Sequence, residues 1–315
     1  MEHRENFWED KVVLVTGGKG FLGSHVVELL ESKNPKKIII PDHKEYDLIK
    51  SEDCDKLTKE VDVVIHLAVD GGGIGYMRKH SGSVFYNNIM MNVLLQEFAR
   101  RNGVKKFVGI GSVCEYPKFT EVPFKEEDLW LGFPEETNAS YGLSKKMMGV
   151  QSQAYNSQYG FNGIHLLPTN LYGPRDDFDL ESSHVIPALI RKILSAQKEG
   201  KNKVKIWGSG KASREFLFVE DCAKGILLAA ENYNEPEPIN LGAGEEISIK
   251  DLVYKIKTIT GYEGEFEWDG DMPDGQPRRS LDVSKAKAKF GFEANVGLDE
   301  GLKETIKWYQ EKCLN

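Results

Sequence analysis

Along the first half of the chain, short apolar runs alternate with stretches in which apolar residues recur at helical spacing. Lys11–Thr16 (KVVLVT) is apolar, β-branched and ended by glycines, which predicts a buried strand. His25–Lys33 then places Val26, Val27, Leu29 and Leu30 on one helical face. Lys37–Ile40 (KIII), Val61–Ala68 (VDVVIHLA) and Lys105–Ile110 (KKFVGI) read as further strands, Val61–Ala68 as the third or fourth. Val84–Asn102 and Ala139–Tyr159 read as long helices, and Gly163–Leu167 (GIHLL) as a strand ended by Pro168. This alternation predicts an α/β protein with a doubly wound parallel sheet of the Rossmann kind, helices covering both faces.

After Pro168 the pattern loosens and Gly, Pro and Asp become frequent. Val219–Glu231 still reads as a helix, Pro238–Leu241 as a strand and Asp299–Gln310 as a closing amphipathic helix. There is no internal repeat, and no linker is long enough to separate independent domains. The expected organisation is a sheet domain, 1–168 plus about 214–241, interleaved with a smaller C-terminal domain, about 169–213 plus 242–315.

Composition narrows the function classes. The 315 residues are 40% apolar and 29% charged, as in a packed globular protein. A net charge of −8 without a basic stretch argues against nucleic-acid binding, although local arginines can still hold an anionic small molecule. The four cysteines form no CxxC pair and have no zinc-site spacing, so no metal is expected. The charged start MEHRENFWED precedes only a short apolar run, Val12 to Val15, which fits neither a signal peptide nor a membrane span. The expectation is a cytoplasmic protein with reduced thiols.

Two motifs carry chemistry. Gly17, Gly20 and Gly23 stand in Thr16–Gly23 (TGGKGFLG), between the first strand and the helix that includes Phe21 and Leu22. Such a loop turns tightly, lets backbone approach a pyrophosphate, and presents the positive end of a helix to it. Asp42, nineteen residues after Gly23, is placed to accept from an adenosine ribose, which points to NAD(H). His43 and Lys44 could instead face a 2′-phosphate. Asp47 and Leu48 are candidates for the adenine border, and an acid in a surface turn explains Asp47 equally well. Leu67 and Ala68 end the strand that would pass under the nicotinamide ribose; His66 before them reads equally as a satisfied histidine at a sheet end.

The second motif is Tyr141-Gly142-Leu143-Ser144-Lys145. Tyr141 and Lys145, four apart, share a helical face. An ammonium near a phenol favours the phenolate and makes the tyrosine a usable acid or base, while Ser112 can hydrogen-bond the carbonyl it protonates.

Glycine loop, Ser112, Tyr141 and Lys145 in this order resemble the short-chain dehydrogenase/reductase superfamily, and the chain length resembles its extended branch. Further stretches resemble the GDP-L-fucose synthase group: Gly111–Lys118 (GSVCEYPK), Pro168–Pro174 (PTNLYGP), Ser183–Ile190 (SHVIPALI), Trp207–Gly210 with Arg214-Glu215-Phe216, and Pro273–Arg279 (PDGQPRR). The resemblance implies an epimerase-reductase acting on a 4-keto GDP-sugar with NADP(H), and commonly a homodimer pairing through its two long helices. It assigns catalysis to Ser112, Tyr141 and Lys145, and the epimerising proton transfers to Cys114 and His184. It also implies substrate contacts at Asn170, Trp207 and Arg214, with Arg278 or Arg279 on the diphosphate. The residue types alone allow plainer roles: a buried apolar thiol, a surface or capping histidine, a core tryptophan, and a solvated turn for one of the two arginines.

Three departures keep other readings open. Val113 replaces a second small polar residue, Asp42 favours NAD(H), and Gly71–Asn88 resembles GDP-mannose 3,5-epimerases, which are redox-neutral and keep NAD bound. A C4 reductase without epimerase activity, and a non-catalytic dinucleotide sensor on the same fold, are the remaining alternatives. A dehydratase is disfavoured, because Val113-Cys114 stands where that reaction usually has Asp-Glu.

Overall fold

The structure, a computed structural model, describes residues 6–179, 182–271 and 275–314. In chain order the first half contains β1 (Val12–Thr16), α1 (Phe21–Ser32), β2 (Lys37–Ile39), α2 (Ser51–Thr58), β3 (Val63–His66), α3 (Ile74–Lys79), α4 (Ser81–Arg101), β4 (Lys106–Ile110), α5 (Ala139–Tyr159) and β5 (Gly163–Pro168). The second half adds β6 (Asn170–Tyr172), α6 (Val185–Lys198), β7 (Lys203–Trp207), β8 (Ser213–Phe218), α7 (Val219–Asn232), β9 (Ile239–Leu241), β10 (Glu246–Ser248), α8 (Ile249–Thr260), β11 (Glu265–Asp269), α9 (Ser284–Phe290) and α10 (Leu298–Cys313).

Six strands form one parallel sheet in the order β2-β1-β3-β4-β5-β9. Side chains alternate across it, as the period of two requires. Val13, Val15, Val63, Ile65, Val108 and Ile110 face α1, α7 and α9. Leu14, Val64 and Phe107 face α2, α4 and α5. Both faces are therefore covered, which is why these strands read as unbroken apolar runs.

A second core lies outside this sheet. α6, α8 and α10 bury Ile186, Leu189, Ile190, Leu252, Ile256, Leu302 and Ile306 against β7 and β8. β8 joins the two cores, because Phe216 and Phe218 enter the second while Leu217 enters the first. The C-terminal segments do not stay with the second core throughout: Ala286, Phe290 and Phe292 return to the large sheet, where α9 packs beside β9. Among the described residues, no helix is long and apolar enough to cross a membrane.

Candidate active site

β1 is flanked by β2 on one side and β3 on the other, so the strand order reverses there. Open α/β sheets bind ligands outside the carboxyl ends of strands at this point. The loop after β1 is shaped for close approach. Gly17 has φ +69°, and a Cβ on it would come within 2.8 Å of the Ala68 nitrogen. A Cβ on Gly23 would run into the Gly17 carbonyl. Only glycine fits at both positions, and Gly20 begins α1 with its backbone N–H donating to the Gly17 carbonyl at 2.9 Å.

From this loop a cavity of about 1320 Å³ runs past α5 to the second core. Gly17, Gly20, Phe21, Leu22, Gly23, Asp42, His43, Asp47, Leu48, Leu67 and Ala68 line one end. Asp42 is not a free acid there. Lys19 Nζ donates to it at 2.7 Å, His43 Nδ1 lies 3.6 Å away, and its pKa falls, chiefly through the Lys19 hydrogen bond. With Lys44 alongside, this end of the cavity carries three basic side chains and two carboxylates, Asp42 and Asp47.

His66 does not line the cavity. Its Nδ1 lies 2.7 Å from Thr16 Oγ1 and its Nε2 3.0 Å from Asn92 Oδ1, and burial lowers its pKa to about 3. It is the satisfied sheet-end histidine. Asn92 in turn donates to the Ser144 carbonyl at 3.1 Å, which ties the end of β3 to the first turns of α5.

In the middle of the cavity, Ser112 ends the segment after β4 and caps a one-turn 3₁₀ helix, Val113–Glu115. Its Oγ accepts the Cys114 N–H at 3.1 Å and lies in hydrogen-bonding reach of the Tyr141 phenol. A Cβ on Gly142 would strike the Cys114 carbonyl, so that glycine lets α5 press against the short helix. Burial raises the Tyr141 pKa, Cys114 and Glu115 raise it further, and Ser112 opposes the rise. Lys145 is 2% exposed, and burial lowers its pKa to about 8 against the charge of Glu115.

The far wall comes from the second core and the 275–279 segment. His184 is the N-cap of α6, yet its side chain makes no capping bond and opens onto the cavity. The protein around it lowers its pKa, while Asp177 pulls the other way. Cys114 is half-buried, with Arg279 Nη1 3.6 Å from its sulfur. Trp207 ends β7 half-exposed, with Lys192 Nζ 4.8 Å from its ring centre. Asn170 and Arg214 line the same wall, the Asn170 amide donating to the Glu215 carbonyl at 2.8 Å.

Arg278 is the predicted residue that the structure sets elsewhere. It points away from the cavity and pairs with Glu246 at 2.5 Å, while Arg279 lines the cavity and donates to Gln276 Oε1 at 3.1 Å. The reason is local: Pro277 and Arg279 both accept N–H bonds from β8, and neighbouring side chains of an extended chain point oppositely. Pro273 and Asp274 of the same stretch lie outside the described residues. Lys192, Asp176 and the Gly71–Gly75 loop also line the cavity, and sequence reasoning did not place them there. Lys192 sits eight residues after His184 in a helix, a spacing that could have revealed it. Among the described residues, no group of three or more His, Cys, Asp or Glu side chains is arranged to hold a metal.

A glycine loop at a switch point, a Ser-Tyr-Lys centre and a basic, half-exposed far wall together define a dinucleotide-dependent enzyme class. Residues 13–242 match the NAD dependent epimerase/dehydratase family, and the chain belongs to it. It is 38% identical over 302 residues to the GDP-L-fucose synthase of Sinorhizobium fredii (strain NBRC 101917 / NGR234), covering 95% of each chain. A GDP-6-OMe-4-keto-L-xylo-heptose reductase from C. jejuni superposes with TM-score 0.88 at 28% identity, covering 96% of this chain and 98% of that one. A GDP-L-fucose synthetase from Naegleria fowleri bound to NADP superposes at 0.85 with 31% identity, covering 96% and 95%.

Proposed function

We propose that this protein is an NADP(H)-dependent epimerase-reductase of a 4-keto GDP-sugar, with GDP-4-keto-6-deoxy-mannose, converted to GDP-L-fucose, as the first substrate to test. The observation that carries the reading is the single cavity that contains Ser112, Cys114, Tyr141, Lys145 and His184 between the glycine loop and the Trp207 wall. A non-catalytic sensor would have no use for all five.

The residues fit a nicotinamide dinucleotide, because the cradle at Gly17 is one that any Cβ would fill. Lys19, His43 and Lys44 suit a 2′-phosphate, with Lys19 also offsetting part of the charge of Asp42. When bound, NADPH supplies hydride to the sugar C4. Before that, a ketone at C4 acidifies the hydrogens on C3 and C5, so Cys114 and His184 can remove a proton and return one from the opposite face. Tyr141 then protonates the C4 oxygen, which Ser112 holds by a hydrogen bond. Lys145 keeps a positive charge beside them. Arg279, Arg214 and Lys192 suit the diphosphate, and Trp207 offers a face for the base.

The domain roles follow. Residues 1–168 and about 214–241 hold the dinucleotide; about 169–213 and 242–315, α9 excepted, hold the sugar nucleotide. The protein acts as a cytoplasmic homodimer, its pairing surface formed by α4 and α5, on which Phe85, Tyr86, Val150 and Tyr159 are exposed. A monomer by light scattering would contradict this.

Two neighbouring reactions have observations of their own. Similarity to the C. jejuni reductase favours a C4 reduction without epimerisation. The Gly71–Gly75 loop at the cavity favours a redox-neutral epimerase acting on GDP-mannose. NADPH consumption separates them from each other. Stoichiometric consumption with the 4-keto sugar is expected; none with that sugar, together with epimerisation of GDP-mannose, would replace the proposal by the redox-neutral reading.

A further inference from the structure

Beneath Ser112 lies a buried acid–imidazole pair to which the reaction above gives no role. Glu115 is 1% exposed and His165 2%. Glu115 Oε1 accepts the Ser112 backbone N–H at 2.9 Å and so closes the one-turn helix on which Ser112 and Cys114 stand. From β5, His165 Nε2 reaches the two carboxylate oxygens at 3.1 and 3.0 Å. A carboxylate only accepts, so the proton between them belongs to Nε2; Nδ1 is buried without a partner.

Two glycines keep room for the pair. A Cβ on Gly149 would come within 2.9 Å of the His165 ring, and one on Gly111 within 2.6 Å of its Nε2. The groups that feel Glu115 come from three elements: Tyr141, Lys145 and Lys146 on α5, His165 on β5, and Tyr116 on its own segment. Its charge favours the ammonium form of both lysines and opposes ionisation of both tyrosines.

We infer that Glu115, held by His165, is a positioning residue: it fixes Ser112 against the reacting carbonyl and gives Lys145 a buried counter-charge. This rests on the reductase reading.

The test uses Glu115→Gln, which keeps shape and removes charge, with His165→Leu and His165→Gln as a second pair. The first readout is an NMR titration of ¹³Cε-labelled lysines, with the Lys145 signal assigned through Lys145→Arg; it needs no substrate. The Lys145 midpoint is expected to fall by about one pH unit in Glu115→Gln. The second is the pH profile of NADPH oxidation with GDP-4-keto-6-deoxy-mannose. Here kcat drops roughly tenfold, the basic limb moves to lower pH by the same interval, and KM changes less than about twofold. His165→Leu moves both readouts the same way by less, and His165→Gln restores them.

An unchanged Lys145 midpoint in Glu115→Gln overturns the inference. Should that variant not fold, equal behaviour of His165→Leu and His165→Gln, both with the unaltered midpoint, overturns it. An unaltered protein that oxidises no NADPH would sink the reductase reading, while the Lys145 midpoint would still decide the role of Glu115.

Discussion

Lys145 and Trp207 face the same cavity, yet the first is 2% exposed and the second 53%. Lys145 stands on a long helix packed against the parallel sheet, beside a short helix closed by Glu115 and a strand end tied down through Thr16, His66 and Asn92. Trp207 ends a strand of a two-stranded ribbon, with a lysine over its ring. The buried side has its reacting groups braced by a second layer of hydrogen bonds. The open side has long, charged or flat side chains that can meet a nucleotide of varied shape. The proposed function puts reduction at C4 on the braced side and substrate choice on the open one, with His184 the one proposed proton-transfer group that comes from the open wall.

The largest test of that contrast is Tyr141→Phe. Removing the proposed proton donor should lower kcat by about a thousandfold or more while NADPH affinity stays within a few fold, read by single-turnover oxidation and by fluorescence titration. An unimpaired kcat would empty the braced side of its role. Next come Cys114→Ser and His184→Gln, which should slow solvent-deuterium uptake into the sugar at least about a hundredfold and leave thermal stability nearly unchanged. Uptake at the normal rate in both would return these residues to binding or packing.

On the open side, Arg279→Met should raise KM for the GDP-sugar about tenfold, the scale of one lost charge-assisted hydrogen bond. Arg278→Met should leave KM within about twofold, since Arg278 is exposed and its partner is Glu246 outside the cavity. Equal effects would mean that both arginines reach the substrate.

The smallest effect concerns acid stability. Folded His66 resists protonation down to about pH 3, whereas the unfolded chain takes up a proton near 6.5. Its contribution is therefore whole above 6.5 and is lost as pH falls from there toward 3. Thermal melts between those limits should decline less steeply in His66→Gln than in the unaltered protein. Parallel slopes would show that other groups carry the acid sensitivity.

Much of the braced side was legible in sequence because its signals are local. Buried strands are unbroken apolar runs, α5 begins and ends where its pattern does, and the glycine spacing and the Tyr141–Lys145 pair lie within a few residues of chain. The second core was not legible element by element. α6 begins with Pro187 in its first turn, where a missing N–H costs nothing but breaks the helical reading. No helix is predicted from sequence for α8 of the same core, or for α2, α3 and α9 outside it. Arg279 over Arg278 depends on the phase of an extended segment against β8, a tertiary fact that adjacent identical residues cannot encode. The Glu115–His165 pair joins residues fifty apart, and only the pairing of β4 with β5 brings them together.

Whether the protein both epimerises and reduces its sugar can be read from the mass of one product. The protein is incubated with GDP-4-keto-6-deoxy-mannose and NADPH in D2O, and the GDP-sugar is weighed and its carbon-bound deuterium located. The expected product is a reduced sugar with deuterium from solvent at C3 and C5 and protium from NADPH at C4. A reduced sugar with no carbon-bound deuterium would contradict it and leave a simple C4 reductase.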